Sequence, residues 1–175
     1  MRMLMVLAVR ARSARDTSGR LSAGGAQVPC SIGRSGRRVG KREGDGATPI
    51  GSWRLTEVLY RADRVQRPQS PLPIRRLRPD DGWCDAIGDR NYNRHVRHPY
   101  PASAERLWRD DHVYDLIVVM MHNLVPRVQG SGSAIFIHLA RPDYAPTEGC
   151  VALGERDLRL LLAHCSRRTR VVIGA

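Results

Sequence analysis

The chain has 175 residues, enough to bury one substantial core but short of two full-size domains. Its formal net charge of +12 comes almost wholly from arginine, with Lys41 the only lysine; such a balance suits nucleic acid, an anionic envelope polymer or a substrate carrying several carboxylates. The four cysteines include no CxxC pair, which argues against zinc and dithiol redox chemistry, and no apolar run is long enough to cross a membrane.

Residues 1–10 are apolar, but the run is short, Arg10 and Arg12 interrupt it, and no small-residue cleavage site follows. They read as a first strand over 3–9 rather than an export signal. A Ser/Gly-rich stretch over 18–25 reads as a turn, and 27–32 as a second strand. Further strands fall at 53–60, 114–121, 134–140 and 170–173, with Gly and Pro in nearly every gap. The run Leu116-Ile117-Val118-Val119-Met120 is apolar at every position, so it is expected to be buried on both faces and central. One helix is expected over 155–165. There Leu158, Leu161, Leu162 and Cys165 share a face, Gly154 stands at the N-cap, and Glu155 and Asp157 suit the positive helix start. Residues 61–111 are rich in Arg, Pro and Asp and read as a long inserted cap, anchored by Trp83, Tyr92, Tyr100 and Trp108. The expected architecture is a single mainly β domain over 1–175, sandwich-like, with one clear helix after the Cys150 segment. Cys30 and Cys165 read as core thiols; Cys84 stays ambiguous, and a disulfide stays open.

The chemistry lies near the C-terminus. An apolar run ends at His138, and a short loop leads through Pro146-Thr147-Glu148-Gly149-Cys150 into a second run, Val151-Ala152-Leu153. Strand alternation places His138 on one face of its strand and Cys150 on one face of the next. If the strands are neighbours, the imidazole can take the thiol proton and lower its pKa. Gly149 gives the backbone room to turn, and amides near Gly149 and Cys150 can face a developing oxyanion. An arbitrary cysteine and histidine serve the core far more often than chemistry; the Gly-Cys step after a strand and loop brings the two readings level.

Those residues resemble the signature of the YkuD-type L,D-transpeptidase family: a histidine on one strand, then Ser/Thr-x-Gly-Cys, here His138 and Thr147-Glu148-Gly149-Cys150. The upstream segment Thr48-Pro49-Ile50-Gly51 resembles the family's Thr-Pro-x-Gly stretch; by itself it reads as a structural turn. The resemblance spans about residues 27–172. It implies a β-sandwich-like catalytic domain without a cofactor or metal. In it Cys150 attacks the carbonyl before a D-amino acid of a peptidoglycan stem, D-alanine leaves, and an amine of another stem resolves the thioester. His138 would move the proton, the Leu139 carbonyl would orient its ring, and carbapenem-type β-lactams would acylate the sulfur. No nucleic-acid partner is implied, and the substrate places the protein in the periplasm or cell envelope. The chain departs from the common pattern at Leu139, Glu148 and Ala152, where many members carry Gly, His, and Arg or Asn. It therefore resembles a divergent branch.

Further candidates for contact with the stem are His122 and Asn123 at a strand end, Arg90 and Tyr92 in a polar cluster of the inserted segment, and Thr147. Arg90 or Arg94 would hold a carboxylate through charge-assisted bonds. Two other readings stand beside the transferase. One is an L,D-carboxypeptidase or amidase-type hydrolase using the same Cys-His pair. The other is a basic polymer-binding module with an inactive site. A papain-like peptidase fits poorly, because that class places Cys before His.

Overall fold

Alternation of side chains along a few apolar strands organises the fold. The computed structural model describes residues 3–174; Met1, Arg2 and Ala175 lie outside the described residues. The strands are β1 (Val6–Arg10), β2 (Ser18–Ala23), β3 (Ala26–Ser31), β4 (Arg37–Arg38), β5 (Thr48–Pro49), β6 (Gly51–Tyr60), β7 (Ile74–Arg76), β8 (Asp81–Cys84), β9 (His95–Arg97), β10 (Ala104–Arg106), β11 (Leu116–Met120), β12 (Phe136–Leu139), β13 (Val151–Leu153) and β14 (Arg170–Ile173). The single helix among the described residues, α1 (Glu155–Leu162), follows β13. The domain is mainly β, as expected.

The principal sheet runs β11-β12-β13-β3-β2-β1-β14-β6-β7. Besides pairing with β7 at its end, strand β6 is long enough to take two further partners: its first half pairs with β14 and its second half with β11. That double pairing closes the sheet on itself, and the enclosed side chains form the main core. Leu7, Val9, Leu21, Val58, Leu116, Val118, Ile137, Val151 and Leu153 all belong to it. The amphipathic face of α1 adds Leu158, Leu161 and Leu162 to the same core, with the helix packed nearest β12.

The other faces of β11 and β12 are largely covered as well. Ile117, Val119 and Phe136 join a second apolar cluster with Leu59, Leu77, Trp83 and Leu107. Trp83 meets Phe136 edge to face at 5.1 Å. This explains why β11 is apolar at every position: both faces are covered.

The cover comes from residues 61–111. They were expected as a long loop, but they carry β7 and a second, three-stranded sheet, β10-β8-β9. The buried Asp81 carboxylate ties this cap together, taking bonds from Arg75 (2.7 Å), the Arg78 amide (2.8 Å) and His95 (2.6 Å). Residues 18–25 were also expected as a turn. Instead β2 pairs along its whole length with β3, and only Gly24 and Gly25 turn, at φ +55° and +91°. The helix stops at Leu162, before the expected end, yet Cys165 is still buried in the main core. All four cysteines are free and buried.

Candidate active site

Strands β12 and β13 pair in parallel, with Ile137 opposite Val151 and His138 opposite Ala152. Ile137, Val151 and Leu153 point into the main core. Period-two alternation therefore turns His138 and Cys150 to the other side. Cys150 lies beside Phe136 in this register, one pleat from His138, which separates their Cα atoms by roughly 8 Å in ordinary strand geometry. Both side chains line one cleft of about 470 Å³. They are 6% and 7% exposed, so that cleft is the route to them.

Backbone packing holds the Cys150 turn. Gly149 has φ +132°, and a Cβ there would come within 2.8 Å of the Ala47 carbonyl oxygen. Only glycine accepts both conditions without strain. Thr147 Oγ1 accepts from the Gly149 amide (3.1 Å) and donates to the Cys150 carbonyl (2.7 Å). Thr48 Oγ1 accepts from the Gly33 amide (2.8 Å) and lies 3.4 Å from the same Cys150 carbonyl. The Thr48-Pro49-Ile50-Gly51 segment, read from sequence as a structural turn, thus buttresses the nucleophile loop. The sulfur itself donates to the Ala134 carbonyl (3.2 Å) and accepts from the Phe136 amide (3.3 Å).

The imidazole is oriented by its own chain. His138 Nδ1 is 2.9 Å from the Leu139 carbonyl oxygen. A carbonyl can only accept, so Nδ1 carries the proton and Nε2 keeps a free lone pair. Tyr114 packs edge-on against this ring at 5.2 Å.

Burial sets the resting protonation. It pushes the Cys150 thiol up to about 12, helped by the negative charge of Glu105, and pushes His138 down to about 4. Both shifts oppose transfer of the proton from sulfur to imidazole. The pair rests as neutral thiol and neutral imidazole. The sequence suggested a thiol acidified by its neighbour; burial acts in the opposite direction, and the sulfur bonds the Ala134 carbonyl and the Phe136 amide.

Of the other residues singled out from sequence, Thr147 lines the cleft and Leu139 supplies the carbonyl under His138. His122, Asn123, Tyr92 and Arg90 do not line it. His122 is buried against Trp53 and bonds the Ser131 carbonyl at 3.0 Å. Asn123 ties its own loop together through Val128 and Gly132. The buried Tyr92 donates to Glu43 at 2.5 Å, and Arg90 and Arg94 are exposed. The cationic wall is built instead by Arg109 and Arg141, which share the Asp111 carboxylate at 2.6 and 2.8 Å. Glu105 and Tyr114 complete the wall, and the Tyr114 hydroxyl donates to Glu105 at 2.7 Å. Sequence reasoning passed over Glu105 and Tyr114, since neither belongs to a recognisable motif. The run Arg109-Asp110-Asp111 offers the one local signal, acids adjoining an arginine in the sequence.

A sequence model of the family described as YkuD, L,D-transpeptidase catalytic domain, matches residues 16–173, nearly the whole chain. No curated protein and no solved structure matches it.

Proposed function

The chain belongs to the YkuD family of L,D-transpeptidase catalytic domains, and we propose on that premise that it is a peptidoglycan L,D-transpeptidase of the cell envelope with Cys150 as nucleophile. The observation that carries this reading is the placement of Cys150 and His138 on one face of paired strands, opening to one cleft.

The neutral resting pair means that proton transfer accompanies attack rather than preceding it. As the sulfur approaches the carbonyl before a D-amino acid, its proton passes to His138 Nε2. The Leu139 carbonyl holds the other edge of the ring throughout. The imidazolium then protonates the leaving amine of D-alanine, and a Cys150 thioester remains. A weakly basic imidazole is a strong acid once protonated, which suits expulsion of an amine. An amine of a second stem attacks the thioester, forms the cross-link and restores the thiol. Gly149, Thr147 and Thr48 act by fixing the Cys150 turn. Arg109 and Arg141 offer the guanidinium groups that suit a stem carboxylate. Carbapenem-type β-lactams present a reactive carbonyl to the same sulfur and should acylate it.

Intact-mass measurement after carbapenem exposure tests the nucleophile. The wild-type chain should gain one adduct and Cys150→Ala none; an unlabelled, folded wild type would refute the reading. Product analysis on a muropeptide mixture tests the reaction. Dimers support transfer, whereas shortened stems alone indicate a hydrolase.

A further inference from the structure

The acyl transfer proposed above, on which this inference rests, requires more proton handling than His138 supplies. An acceptor amine is an ammonium near neutral pH. It must lose one proton to become a nucleophile and a second as the amide forms. His138 Nδ1 is committed to the Leu139 carbonyl, so the ring has one lone pair, at Nε2. That lone pair serves the second proton, which returns to sulfur. The first needs another base.

Glu105, on β10, stands in the same cleft as Cys150 and His138. Its carboxylate accepts from Tyr114 Oη at 2.7 Å, and the Tyr114 ring packs against His138 at 5.2 Å. One aromatic side chain therefore bridges the carboxylate and the imidazole. The Glu105 charge is also felt at the sulfur, where it opposes the thiolate. We propose that Glu105 is the acceptor-amine base: its carboxylate binds the incoming ammonium beside the thioester and removes the first proton, with Tyr114 as its positioning residue.

The steps balance. R–NH₃⁺ and the Glu105 carboxylate give R–NH₂ and the Glu105 carboxylic acid. R–NH₂ then attacks the Cys150 thioester. The C–N bond forms, the C–S bond breaks, and the second proton travels through His138 Nε2 to the sulfur. Glu105 releases its proton to solvent. Burial raises the Glu105 carboxyl above the ordinary range, opposed by the Tyr114 hydrogen bond and the Arg109 charge and reinforced by Asp85 and Glu43. A carboxylate raised in this way is better matched to a proton from an amine.

The test is a competition between two acceptors on a stem-peptide donor. Methylamine arrives charged near neutral pH; hydroxylamine arrives largely neutral and needs no first deprotonation. Because both resolve the same thioester, their product ratio is independent of how fast the thioester forms. Glu105→Gln should lower the ratio of methylamide to hydroxamate at least tenfold. An unchanged ratio overturns the role of Glu105. Tyr114→Phe keeps the carboxyl but removes the hydrogen bond that lowers it, so the pH at which the ratio falls away should move upward. A profile that stays in place overturns the part given to Tyr114. A wild-type chain that forms neither product and no Cys150 adduct refutes the transferase reading itself, which separates the two failures.

Discussion

Acidification should destabilise this fold through one histidine, by an amount the structure sets. Burial holds His138 down to about 4, against the ordinary value of 6.5. Between these values the unfolded chain takes up a proton that the folded chain refuses. Folding is then penalised as pH falls, and the contribution is fully present only above about 6.5. At pH 4.5 the loss relative to pH 7 comes to about 2 kcal/mol from this side chain alone, a large fraction of a typical domain's stability. The perturbation is His138→Gln, whose amide can still donate to the Leu139 carbonyl but does not titrate. Urea unfolding of both proteins at pH 7 and pH 4.5, followed by tryptophan fluorescence, gives four free energies. Remote carboxylates with lowered values, such as Asp45 and Asp81, lose their contributions equally in both chains and cancel. The wild type should lose about 2 kcal/mol more than the variant on acidification. Equal losses would refute the assignment of His138 as a neutral, desolvated ring.

The resting sulfur should be sluggish toward a simple alkylating agent. With its thiol pushed up to about 12, Cys150 should react with iodoacetamide far more slowly at pH 7 than a free cysteine, accelerating about tenfold per pH unit through pH 9. A rate plateau beginning near pH 6 would reveal a preformed thiolate–imidazolium pair instead. His138→Gln should slow carbapenem acylation of Cys150 by ~10² or more, as loss of a general base demands, and time-resolved mass spectrometry reads this directly. In Gly149→Ala the new Cβ meets the Ala47 carbonyl oxygen at 2.8 Å on a backbone of φ +132°, so thermal or urea unfolding should show a loss of ~1–3 kcal/mol. Wild-type stability in that variant would mean the Cys150 turn relaxes freely.

Strands built from branched aliphatics were legible because their apolar pattern names their surroundings. β6, β11, β12 and β14 fall where the apolar runs do, and α1 where Leu158, Leu161 and Leu162 share a face. Two features were not. β2 is rich in serine and glycine and has little strand preference of its own; pairing with β3 and the burial of Leu21 and Ala23 make it a strand. The cap strands β8, β9 and β10 are three or four residues long and carry Asp, Gly and Arg. They exist because Phe136 and Val119 present an apolar surface for Trp83 and Leu107 to cover.

The site divides along the same line. Period-two alternation and the short loop between two runs were enough to bring His138 and Cys150 to one face, because that geometry is local and repeats with the backbone. What surrounds them was not local. Glu105 and Arg109 reach the cleft from the cap, and Thr48 reaches the Cys150 carbonyl from 102 residues away. The protonation of the pair was decided only by tertiary structure, since the energy of a charge depends on how much water the rest of the chain leaves around it.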